Sequence, residues 1–89
     1  MEFPFEQRQI SENKIQRRFL KTVNKSELVW HMDREDRLVK VIEGKSWKLQ
    51  IDNTLPVELE VGKEYYIPKM TFHRIIKGDS DLILEILFQ

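Results

Sequence analysis

Residues 61–78 read VGKEYYIPKMTFHRIIKG, and the way this stretch turns back on itself decides the fold. Gly62 supplies a turn, Tyr65 and Ile67 fall on one face of a strand, and Pro68 to Thr71 form a tight bend, since proline fixes φ and cannot continue a ladder. The returning strand carries Thr71, His73 and Ile75 on a shared face, so His73 points into the same interior as the apolar side chains. Outward from here the same period of two recurs: Val29, His31 and Asp33; Val39 and Val41; Trp47, Leu49 and Ile51; Val57, Leu59 and Val61; Leu82, Leu84, Ile86 and Phe88. Between these runs lie DRED at 33–36, EGKS at 43–46, DNTLP at 52–56, VGKE at 61–64 and KGDSD at 77–81, all rich in turn formers. Short alternating strands joined by polar turns predict an all-β barrel or sandwich, and no segment reads as a helix.

The 89 residues are 40% hydrophobic and 34% charged, the composition of one soluble globular domain rather than a disordered chain. A domain of this size buries only about 60 to 65% of its extended surface, so its core is thin. The opening MEFPFEQRQISEN, interrupted by Pro4 and mixed in polarity, is expected to form an arm over residues 1–13 that packs on the barrel edge or on a partner subunit. Residues 14–89 are then the barrel. Fifteen basic and fifteen acidic residues cancel, which argues against nucleic acid or an anionic membrane as partner. The one locally basic run, KIQRRFLK at 14–21, is interleaved with Ile15, Phe19 and Leu20 and reads as a strand with a solvated cationic face. The absence of cysteine excludes disulfides, thiolate nucleophiles and cysteine-based metal sites. No early apolar run resembles a signal peptide and none approaches the ~20 residues of a membrane span, so a cytoplasmic location is expected.

Within LVWHMDREDRLVKVIEG, residues 28–44, His31 and Asp33 stand two apart on one strand face. Two such groups cannot enclose an ion, and a third ligand has to come from elsewhere in the chain. Each histidine reads either as a metal ligand or as an interior imidazole bonded to a backbone group. Asp33 reads either as a ligand or as a turn cap or ion-pair partner.

The stretch around His73 resembles the second motif of the cupin superfamily: glycine, five residues, proline, one residue, glycine, two residues, histidine, three residues, asparagine. Gly62, Pro68 and His73 match in register, with Met70 at the second glycine and Lys77 at the asparagine. The first motif is histidine, one residue, histidine, three or four residues, glutamate, six residues, glycine. Laid on residues 31–44, it finds His31 and Gly44 in place, Asp33 at the second histidine and Arg37 at the glutamate. The resemblance covers about residues 27–87, with a short gap between motifs as in the smallest single-domain cupins. It implies a small jelly-roll barrel, also called a double-stranded β-helix. It also puts His31, Asp33 and His73 at three of the four positions that hold one divalent metal ion, iron, manganese, zinc or nickel. Two imidazoles and a carboxylate are also, on chemical grounds, the facial triad of iron(II) oxygenases.

Arg37 departs from the pattern, because a guanidinium has no lone pair to give a metal. Three readings stay open: it pairs with Glu35 or Asp36 and leaves a three-ligand site, it pairs with Asp33 in a metal-free pocket, or it binds the carboxylate or phosphate of a substrate. Trp47, sharing a face with Leu49 and Ile51, is expected inside the barrel as core or ligand contact, and Tyr65 is a candidate proton donor to the pocket. Met70 in place of a glycine, the residue that permits positive φ, implies a less constrained or shifted turn. The expected function is binding or transformation of a small polar, anionic molecule at a His31–Asp33–His73 metal site. The alternative is a non-catalytic ligand-binding, regulatory or assembly module whose site has lost its metal. A homodimer is expected in either case, since pairing covers exposed barrel edges.

Overall fold

The structure, a computed structural model, describes residues 3–89; the first two residues of the expected arm lie outside the described residues. Eight strands follow in order: β1 (Glu6–Ser11), β2 (Lys14–Phe19), β3 (Arg37–Glu43), β4 (Lys48–Ile51), β5 (Val57–Glu58), β6 (Glu64–Ile67), β7 (His73–Ile76) and β8 (Leu82–Phe88). One 3-10 turn, Lys25–Glu27, separates β2 from β3 and is capped by the Asn24 side chain, which accepts from the Ser26 amide. The strands form a five-stranded sheet ordered β1-β2-β8-β3-β6 and a three-stranded sheet ordered β5-β4-β7. Every pairing is antiparallel. This is the all-β jelly roll that the alternation and the Gly62–Pro68–His73 register predict.

The centre of the larger sheet is β8, whose sequence LILEILF pairs with β2 on one side and β3 on the other. Its alternate residues Leu82, Leu84 and Ile86 are buried, together with Ile15 and Phe19 of β2 and Val39 and Val41 of β3. Leu49 of β4 and its neighbours Trp47 and Leu59 complete the core from the other sheet. Burial of each leucine or isoleucine of this kind contributes roughly 1.5–3 kcal/mol, so a core of a dozen such residues leaves little margin.

Trp47 is fully buried and its indole N–H donates to the Ser80 carbonyl at 2.7 Å, which ties the 77–81 turn over the core. Gly78 is required there: a Cβ would run into the Lys45 carbonyl and the Trp47 backbone.

Two segments differ from the alternation. Of the run Val57, Leu59 and Val61 only Leu59 is buried, because β5 is a two-residue edge strand and the chain turns away beyond it. The stretch from Val29 to Asp33 forms no regular strand; it is held to β7 by a single bridge between His31 and His73. At the opposite edge, β1 pairs with β2 from Glu6↔Arg18 to Ser11↔Lys14, and all six of its residues are exposed.

Candidate metal centre

The bridge between His31 and His73 builds the site. His31 N–H donates to the His73 carbonyl at 3.0 Å and His73 N–H to the His31 carbonyl at 2.9 Å. In such a hydrogen-bonded antiparallel pair both side chains leave on the same side, and the two imidazoles stand 4.3 Å apart between centroids. Asp33, two residues beyond His31, falls on that side as well. The turn at 68–71 fixes its position: Met70 N–H donates to the Asp33 carbonyl at 2.7 Å, and the Asp36 carboxylate accepts from Lys69 N–H at 2.8 Å. Met70 takes the left-handed conformation, with φ 56°, so the bend reserved for a glycine keeps its shape rather than loosening or shifting.

Each imidazole is oriented by a backbone carbonyl two residues earlier in the chain. Nδ1 of His31 lies 3.0 Å from the Val29 carbonyl and Nδ1 of His73 lies 2.9 Å from the Thr71 carbonyl. A carbonyl only accepts, so Nδ1 carries the proton in each ring and Nε2 is left with its lone pair. Carbonyl partners of this kind orient metal-bound histidines.

Nε2 of His73 faces Asp33 Oδ2 at 3.2 Å. An ion pair with an imidazolium would satisfy that distance, but burial, the largest influence, pulls the His73 pKa below its usual value against the opposing effects of the Thr71 carbonyl and Asp33. At neutral pH a lone pair therefore faces a carboxylate oxygen that is itself buried and without a hydrogen-bond partner among the described residues. Two acceptors in contact repel unless a cation lies between them.

Arg37 takes an arrangement that combines two of the sequence readings. Its Nε and Nη2 donate to Glu35 Oε1 at 3.2 and 2.9 Å, and Nη2 also lies 3.2 Å from Asp33 Oδ1. The guanidinium holds Oδ1 and leaves Oδ2 to face His73. Arginine and an ion therefore need not compete for the same oxygen.

The sequence matches no protein-family model and no curated protein. Solved structures do resemble it. An RmlC-like cupin from Shewanella frigidimarina superposes with a TM-score of 0.74 at 16% identity, over 99% of this chain and 78% of that one. KdgF from Halomonas sp. gives a TM-score of 0.75 at 14% identity, over 98% of this chain and 79% of that one. The chain has the cupin fold. A structure of the DMSP lyases RdDddP and RnDddQII matches with a TM-score of 0.74 at 16% identity over 85% of this chain. This chain spans only 37% of that one.

Inside the cupin barrel, His31, Asp33 and His73 offer ligand atoms that all lie within 4.8 Å of one another. Donor atoms sharing one first-row ion at bonds of about 2.0–2.2 Å sit ~3 to 4 Å apart, so His73 and Asp33 are already at ligand spacing. His31, the exposed member of the three, accounts for the wider span. The donor set and the unpartnered Oδ2 fit a divalent ion.

A cavity of about 60 Å³ lies against this cluster, lined among others by His31, His73, Arg17 and Arg37. Of the other expected contacts, Trp47 is enclosed in the core. Tyr65 spends its hydroxyl on the β5 end, donating to the Glu58 carbonyl at 2.8 Å and accepting from Glu60 N–H at 2.9 Å. Neither lines the cavity.

Arg17 does, and the sequence reading placed it on a solvated cationic face. It stands between Ile15 and Phe19 on the inward face of β2, while Arg18 points outward to Asp81 at 2.8 Å. An arginine at the inward phase of an alternating strand was the signal available in the sequence.

Proposed function

We propose that this cupin holds one divalent metal ion through His31, Asp33 and His73 and uses it to bind or transform a small polar, anionic molecule at the barrel mouth. The observation that carries the reading is the contact of Asp33 Oδ2 with His73 Nε2, a buried acceptor without a donor opposite a neutral imidazole. Iron, manganese, zinc and nickel all accept two imidazoles and a carboxylate. Such an ion would polarise a carbonyl or carboxylate of the ligand, or activate dioxygen if it is iron. The chain's own contributions are orientation and charge. The Val29 and Thr71 carbonyls hold both imidazoles with Nε2 directed inward, and Arg37 holds Asp33 by its other oxygen.

A second reading, a metal-free binding or regulatory module, is favoured by the Arg37–Asp33 pair, which neutralises the carboxylate without an ion. Metal analysis separates the two. Protein purified without chelator and without a nickel carrier is expected to contain close to one equivalent of a first-row metal, or to take up one equivalent of added zinc in a calorimetric titration. Asp33→Asn and His73→Ala are expected to abolish uptake. Metal-free protein whose heat of titration equals that of the His73→Ala variant refutes the metal reading and leaves the module.

A further inference from the structure

The 60 Å³ cavity opens toward a second cavity of about 330 Å³, and the two share Arg17, Phe19, His31 and Ile75 as lining residues. The larger one is walled by the N-terminal segment, through Phe3, Pro4 and Phe5, and by Leu28 and Val29. Its size is at the small end of ligand pockets, and its walls are almost wholly apolar apart from Arg17, Glu27 and His31. Arg17 sits where the two cavities join. Phe5 stacks 3.9 Å beneath the guanidinium carbon, and Gln7 Oε1 accepts from Nε and Nη2 at 3.1 and 2.8 Å. A neutral amide thus fixes the fork's direction without matching its charge; among the described residues no carboxylate lies within ion-pair distance of it, and Asp33 acts on it only from farther off.

Burial, with the like charge of Arg37 second, pulls the Arg17 pKa down to about 10 against the smaller opposing effect of Asp33. The group still carries its charge at neutral pH, in surroundings that penalise that charge. An anion entering the cavity removes the penalty, and a planar fork suits carboxylate and phosphate oxygens.

We propose that Arg17 is the anion-recognition residue of this cavity and that its ligand is a small organic anion with an apolar body. The guanidinium holds the head group, and the body lies among Phe5, Phe19, Leu28 and Ile75. The inference rests on the metal reading for the placing of the head group beside His31, which lines both cavities with Arg17, but the Arg17 contact itself forms without an ion.

The test uses the full-length ¹⁵N-labelled protein, with and without zinc, titrated with hexanoate, hexyl phosphate and the uncharged hexanamide. The Arg17 Nε–H resonance and the amides of Phe19 and Leu28 are followed. Hexanoate or hexyl phosphate is expected to bind saturably and at least tenfold more tightly than hexanamide, the better of the two naming the head group. Arg17→Gln removes the preference and leaves hexanamide binding as it was; Arg18→Gln, altered on the outer face, retains the preference. Arg17→Lys, which keeps the charge and loses the fork, lies between, and it carries the comparison if the glutamine variant fails to fold. Equal binding of acid and amide, a preference that survives in Arg17→Gln, or no saturable shift with any probe overturns the proposal. Loss of zinc uptake with the Arg17-dependent preference intact removes the metal reading alone. Zinc uptake without that preference removes this inference alone.

Discussion

Met70 holds φ at 56° beside the metal ligands, a conformation that costs an ordinary L residue about 1–2 kcal/mol. Glycine would relieve that strain but adds about 0.4–1 kcal/mol of unfolded-state entropy. Met70→Gly is therefore expected to raise stability slightly, by about 0.5 kcal/mol, and Met70→Val to lower it by more than 1 kcal/mol, as read from urea midpoints. Unchanged midpoints in both would mean that the turn does not store this strain. Arg37 gives the sharper experiment, because its side chain is only 14% exposed and bonded to two carboxylates. Arg37→Glu sets three acidic groups together and is expected to cost roughly 2–4 kcal/mol without metal, somewhat less than a fully buried broken pair. It also supplies the carboxylate of the cupin first motif, so zinc or manganese should raise the melting temperature of the variant by more than that of the wild type. A variant that melts low and ignores both metals argues for the metal-free module.

The 77–81 turn is tied to the start of the structure by Asp81, whose carboxylate accepts from Lys21 N–H at 2.6 Å and from Arg18 at 2.8 Å. The backbone bond first, and Arg18 second, hold its pKa below the usual carboxylate value. A carboxyl lowered by folding adds stability above its unfolded pKa of about 3.9 and loses it as pH falls through the lower folded value. Asp81→Asn is expected to flatten the acid limb of melting temperature against pH between about 5 and 3, and an unchanged limb would assign acid unfolding to other groups. The strands β2, β3 and β8 were legible in the sequence because their buried side chains recur at every second residue. Gly62, Pro68 and His73 likewise carried the turn and the second histidine. Less was legible where the cause is long-range. The division of Asp33 between Arg37 and His73 depends on a bridge between segments distant in sequence, and Arg17 looked like one more cation in a basic run until β8 placed its face inward.

An 89-residue sandwich with an all-exposed outermost strand leaves the backbone edge of β1 open. We expect this chain to cover that edge by forming a homodimer, with residues 1–13 contributing most of the contact. Sedimentation equilibrium of the full chain and of a form beginning at residue 14 checks it: the full chain should be dimeric at micromolar concentration and the shortened one predominantly monomeric. A monomeric full chain at high concentration removes the arm from any role in assembly. The His31–His73 bridge has a further consequence, for kinetics. It is the one β-bridge among the described residues that joins the irregular segment before β3 to the smaller sheet, a long-range contact whose loop-closure cost makes it a late event in folding. An ion bound across that pair would stabilise the native state and scarcely touch the transition state. Zinc should then slow unfolding in stopped-flow denaturant jumps by nearly the full binding effect and leave the refolding rate almost unchanged. The metal would act less as a catalyst of folding than as a brake on the chain coming apart.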